Sequence, residues 1–155
     1  MSEAANGNGA GNGGKQFVLH TLYIKDISFE SPNSPQVFSG MSADMDTQMN
    51  IKNSHRDLGN DQYEVILHLE VHAKQGDNTV FLMEIDQAGV FELKGFGETE
   101  IKQIIGTHCP ATLFPYARET ISSTIGKGGF PPLVLQPINF DVLYAQSQQT
   151  GTPNA

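Results

Sequence analysis

Cysteine is almost missing from this 155-residue chain, and the single thiol, Cys109, excludes both an internal disulfide and a cysteine-based zinc cluster. Basic residues are scarce too: 9 Lys and Arg stand against 17 Asp and Glu, a formal net charge of -8. That balance disfavours nucleic acid and anionic membrane surfaces as partners and suits basic ones, exposed lysines on unfolded chains included. No apolar run approaches the roughly 18 residues a membrane helix needs, so direct membrane insertion is not expected. Met1 to Gly14 has neither a basic start nor an apolar stretch, so no secretory signal is expected and the chain reads as soluble and cytoplasmic.

What is present is enough for one folded body. Hydrophobic residues make up 38% of the chain, and its length can bury a core. Residues 1–14, mostly Gly, Asn and Ala, read as a disordered N-terminal tail, residues 15–145 as the folded domain, and residues 146–155 as a flexible C-terminal tail.

The first half reads as strands. Phe17, Leu19, Tyr23, Ile27 and Phe29 fall on one face of a first strand; His20, Asp26, Ser28 and Glu30 fall on the other, together with Val18, Leu22 and Ile24. Pro32, Asn33 and Pro35 then predict a loop to about Gly40. Asp44 to Lys52 alternates as a second strand. In the third, Tyr63, Val65, Leu67, Leu69 and Val71 alternate with Glu64, His68, Glu70 and His72. Gly76-Asp77-Asn78 supplies a turn into a fourth strand, Thr79 to Leu93. The short connections indicate an antiparallel sheet.

After Gly95 to Gly97 the period becomes helical. Glu98 and Glu100 suit a helix N-terminus, and Ile101, Ile104 and Ile105 begin an apolar stripe. Pro110 can occupy the first turn of a longer helix along which Leu113, Phe114, Ala117, Ile121 and Ile125 recur. Pro115 is expected to kink at most its first turn, and Gly126, Gly128 and Gly129 to end it. Phe130 to Phe140 is apolar, but three prolines exclude regular structure there. A short helix over about Asp141 to Gln148 completes an α+β chain: a four-stranded antiparallel sheet followed by a long helix and a short C-terminal one.

Catalytic chemistry is hard to find. His68, Glu70 and His72 share a strand face, yet three polar residues on one face read as a solvated sheet surface, and no fourth metal ligand offers itself. His108 and Cys109 are neighbours in sequence, which seldom gives nucleophile-base geometry. Gly95-Phe96-Gly97 places Glu98 and Glu100 where a dinucleotide's phosphates would sit, and those carboxylates repel phosphate. No cofactor site emerges. Two features suit binding instead: the proline-rich segment, whose Leu133, Val134, Leu135 and Ile138 cannot all hide on one side, and the acidic sheet residues Asp26, Glu30, Glu84 and Asp86.

Three stretches carry a family resemblance: Tyr23 to Asn33, Leu113 to Glu119, and Phe130 to Asp141. They resemble, in order, the bacterial protein-export chaperone family SecB, and the likeness spans about Phe17 to Tyr144. It implies a homotetramer built as a dimer of dimers, ATP-independent holding of unfolded precursor proteins, and delivery to the translocation ATPase SecA. On the family's pattern the SecA-docking patch maps to Asp26, Glu30, Leu82 and Glu84. The client-peptide groove maps to the loop after strand one and to the segment carrying Leu133, Val134, Leu135, Ile138 and Phe140, with Phe140 as an aromatic lining residue. One departure stands out: the tryptophan common in the loop after strand one is absent, since the chain has no Trp. The rival expectation is a small-ligand-binding or hydrolytic α+β domain, with a pocket between sheet and helices where polar groups converge.

Overall fold

A computed structural model describes residues 14–40 and 45–150. Four strands come first: β1 (Gln16–Glu30), β2 (Asp46–Gly59), β3 (Gln62–Gln75) and β4 (Asn78–Lys94), with a 3-10 turn at Gln36–Ser39 between the first two. Three helices follow: α1 (Glu98–Gly106), α2 (His108–Lys127) and α3 (Phe140–Thr150). The sheet is antiparallel in the order β1-β4-β3-β2, so the chain crosses from one edge to the other between its first two strands.

Alternation decides which face is dry. Val65, Leu67, Leu69, Val71 and Ala73 on β3 and Phe81, Met83 and Ile85 on β4 are all buried on one face. Helix α2 covers them with Leu113, Phe114, Ala117, Ile121 and Ile125, a stripe at three- and four-residue spacing. Each of the larger side chains in this stripe contributes about 1.5–3 kcal/mol of burial. Gly89 sets how closely helix and sheet approach. A Cβ there would lie 3.0 Å from Leu19 Cδ1 and Phe91 Cε2 and 3.2 Å from Leu113 Cδ2, so even an alanine would crowd the side chains between helix and sheet.

Several sequence expectations change in detail. β2 runs on past Lys52 to Gly59 and meets β3 through a tight turn in which Asn60 (φ 54°) and Asp61 (φ 61°) are both left-handed, as a two-residue hairpin requires. β1 does not keep one phase. Register shifts between Leu19 and Thr21 and between Ile24 and Asp26 turn Leu22 and Ile24 toward the helices and put Tyr23 on the opposite face, across from Ala88. Pro115 lies about two turns into α2, not in its first turn, and the helix continues through it to Lys127. α3 is helical through residues 146–150, where the sequence suggested a loose end. The N-terminal tail assigned to residues 1–14 lies, but for Gly14, outside the described residues, as do residues 151–155 and Asp44.

Candidate functional site

Two surfaces gather the residues singled out by sequence. The first is the face of the sheet turned away from α2. Backbone register builds it row by row: Glu30 pairs with Leu82, Ser28 with Glu84, and Asp26 with Asp86, so all four residues of the expected docking patch stand on one face of two adjacent strands. Asp26 and Glu30 are exposed; Leu82 and Glu84 are half-buried. The rows continue into β3, where Asp86 faces His68, Glu84 faces Glu70 and Leu82 faces His72. Sequence reasoning had left His68 and Glu70 as plain solvated residues. Their signal was the shared parity with Glu84 and Asp86, which only strand order converts into contact.

His68 ties this surface together. Its Nδ1 lies 2.5 Å from Asp86 Oδ1 and its Nε2 3.2 Å from Glu70 Oε1. Burial alone would lower the imidazole pKa, but the bonds to Asp86 and Glu70 outweigh it and hold the ring above its usual value. Glu70 is held below the usual carboxylate range, first by His68 and then by Asn50. His72 turns instead to Thr79 Oγ1 at 3.4 Å, and no cluster of metal-ligating side chains forms among the described residues.

Toward the far end of the same face stands a second polar group. Glu64 is buried and accepts hydrogen bonds from Tyr23 Oη and from Lys25 Nζ (2.9 and 3.1 Å), with the Arg56 guanidinium at 3.6 Å. The bonds from Tyr23 and Lys25 hold the Glu64 carboxyl below its ordinary value. Burial, then the bond to Glu64, pushes the Tyr23 phenol up to about 12. This group clamps edge strand β1 to β3 across β4.

The second surface is the proline-rich segment between α2 and α3, which takes no regular structure, as its prolines require. Val134 is 67% exposed and lines an open cleft of about 590 Å³ against α2, together with Pro132, Pro115, Arg118 and Lys127. Leu133 and Ile138 are half-buried against the core. Leu135 and Phe140 are not free, contrary to the sequence expectation: each is only 7% exposed, and Phe140 packs edge-on against Phe114 at 5.9 Å. Proline frees the backbone from regular hydrogen bonding but does not stop alternate side chains from turning inward, and these two do.

The loop after β1 contributes an aromatic cluster that sequence reasoning did not name. Phe130 packs at a tilt against Phe81 and Phe38, each at 5.2 Å, and Phe29 stacks on Phe81 at 5.9 Å. Phe38 is the exposed member, at 42%. An open cleft of about 390 Å³, lined by Val37, Gln36, Asn33 and Val80, lies on the same loop. The signal available in sequence was Phe38 beside Val37 just after Pro32 and Pro35, an apolar pair where a loop needs none. Cys109 is buried, its thiol pushed up to about 12 by that burial, while His108 is exposed; the two make no catalytic pair.

A sheet with one helix-covered face and one charged face, plus apolar loops left open at its margin, is a scaffold suited to binding extended polypeptide. The profile of the preprotein translocase subunit SecB family matches residues 10–151, and the chain belongs to that family. It is 46% identical over 136 residues to the protein-export protein SecB of Nitrosococcus oceani, covering 86% of this chain and 82% of that protein. With the protein-export protein SecB of Alkalilimnicola ehrlichii it shares 48% over 147 residues, 91% of this chain and 77% of the other. Among solved structures it is similar to a Mycobacterium tuberculosis SecB-like chaperone in complex with a ChAD peptide from the HigA1 antitoxin. That likeness has a TM-score of 0.66 at 16% identity, covering 79% of this chain and 91% of that one, and it speaks for the fold. Membership makes the protein an export chaperone and not an enzyme, which sets aside the hydrolytic alternative. No helix among the described residues is long and apolar enough to cross a membrane.

Proposed function

We propose that this protein binds unfolded precursor proteins in the cytosol without ATP, keeps them competent for translocation, and hands them to SecA. The observation that carries the reading is apolar surface left open on two irregular segments, Phe38 in one and Val134 in the other, on a chain of the SecB family. Such surface binds extended apolar stretches that would otherwise aggregate.

In this reading clients are bound by Val134, Leu133 and Ile138 on the proline-rich segment and by Phe38 on the loop after β1, while Leu135 and Phe140, each only 7% exposed, offer a guest little surface. Asp26, Glu30, Leu82 and Glu84 form the SecA-docking patch, and their placement in adjacent rows supports it. The chain works as a homotetramer, a dimer of dimers, in which weak grooves gain apparent strength through multivalency. An apolar edge supports self-assembly: Phe17, Ile24 and Ile27 on β1 are each more than 40% exposed.

The test combines light scattering with suppression of aggregation of a chemically denatured protein, in the absence of nucleotide. A tetramer that slows aggregation is expected; a stable monomer, or a tetramer that leaves aggregation unchanged, refutes the reading.

A further inference from the structure

His68 sits at the centre of the charged sheet face with a carboxylate at each ring nitrogen, Asp86 at 2.5 Å and Glu70 at 3.2 Å. A neutral imidazole carries one N–H and one lone pair, so it can donate to only one of them and turns its lone pair on the other. Satisfying both requires the imidazolium. The groups facing the ring are Asp86 and Glu84 from β4, Glu70 from its own strand, Asp26 from β1 beyond Asp86, and Lys52 from β2 directly opposite. Lys52 alone opposes protonation.

The cluster is within a partner's reach. Side chains of His68 and Asp86 are each 29% exposed and that of Glu70 39% exposed. It also adjoins the proposed docking patch directly, since Asp26 pairs with Asp86 and Glu84 with Glu70. A basic surface landing on Asp26, Glu30 and Glu84 therefore brings its Lys or Arg side chains against Asp86 and Glu70, which His68 already occupies. Two cations cannot share these carboxylates at no cost.

From this geometry we propose that His68 is a positioning residue of the docking face: protonated, it holds Asp86 and Glu70 and masks them; a basic partner takes them over and the ring gives up its proton to solvent. The inference rests on the docking reading of this face and adds to it a coupling between docking and pH. The raised imidazole pKa of the free protein fits that coupling, because a partner's positive charge can only lower it. The sign follows: docking releases a proton, so affinity rises with pH, by at most about tenfold per pH unit for one proton, and levels off once the free ring is neutral.

The experiment is isothermal titration of the full-length protein with SecA from about pH 6 to about pH 8 at constant ionic strength, in two buffers of different ionisation heat. The parent should gain about three- to tenfold in affinity over this range and show proton release in the buffer comparison. His68→Gln should bind with little pH dependence, and Glu70→Gln, which keeps the ring but removes one of its carboxylates, should show a shallower slope. Circular dichroism melts check that both variants fold. Equal pH slopes in parent and His68→Gln overturn the role of His68 while leaving the docking reading standing. No binding of SecA by the parent at any pH overturns both.

Discussion

The two faces of the sheet are made by the same strands, yet they do opposite work. Toward α2, every second residue of β3 from Val65 to Ala73 is buried and apolar, and the contacts are dense and non-directional. Away from α2, the intervening residues are Glu64, which is buried, and Ile66, His68, Glu70 and His72, which are half-buried, and the polar ones among them are held by specific bonds. The dry face stabilises the molecule; the polar face leaves charge available at a defined spacing. Substitutions of the same nominal severity should therefore cost very different amounts on the two sides.

The largest effect belongs to the dry face. Leu67→Ala, deep under α2, should destabilise the protein by about 3–5 kcal/mol in chemical denaturation. Phe140→Ala should cost about 3 kcal/mol, because the ring packs on Phe114 inside the core. A near-unchanged melting temperature for Phe140→Ala would return that residue to the open groove.

Glu64 breaks the simple contrast, since it is a buried carboxylate on the polar face. Glu64→Gln should cost about 1–2 kcal/mol, the worth of charge-assisted bonds from Tyr23 and Lys25. Its pH signature has two arms. The Glu64 carboxyl is held below its ordinary value of 4.5, so its contribution is complete above that pH and is lost as pH falls through the lower folded value. The Tyr23 phenol is raised from 10.0 to about 12, so its contribution is complete below pH 10 and fades as pH climbs toward 12. Equilibrium unfolding across pH should show both losses in the parent, and a weaker acid arm in Glu64→Gln.

The smallest stability effect is expected where docking is proposed. Asp26→Lys, Glu30→Lys and Glu84→Lys together should change folding free energy by no more than about 1.5 kcal/mol, because Asp26 and Glu30 are exposed, Glu84 is only half-buried, and charges in such places contribute weakly. The same triple variant should lose SecA affinity and the salt sensitivity of that binding. Retained affinity in a pull-down at low salt would remove the patch assignment.

This contrast also explains what could be read from sequence. β3 was legible because Tyr63 to Val71 alternate with polar residues at every outward position but Ile66, and α2 because its stripe from Leu113 to Ile125 keeps helical spacing. The second half of β2 was not. Asn53, His55 and Asp57 pair with Leu67, Val65 and Tyr63, so polar residues stand on the inner face and no apolar alternation marks the strand. Asn53 has a specific task there, since its amide donates to the Ile105 carbonyl at 2.9 Å near the end of α1. Tyr23 was assigned to the wrong side because bulges are invisible to period counting. The proposed docking patch came from family resemblance, whereas the His68 bridge required strand order. Leu135 and Phe140 were expected to be free, and are buried, because proline content says how a backbone runs, not which side chains turn inward.

The one thiol has a use that its chemistry alone does not suggest. Cys109 has no exposed surface and sits at the start of α2, among the side chains that join helix to sheet. An alkylating reagent can reach it only when that junction parts, so its labelling rate counts openings of the core. The protein thus carries an internal clock for its own breathing, read against a background free of other cysteines.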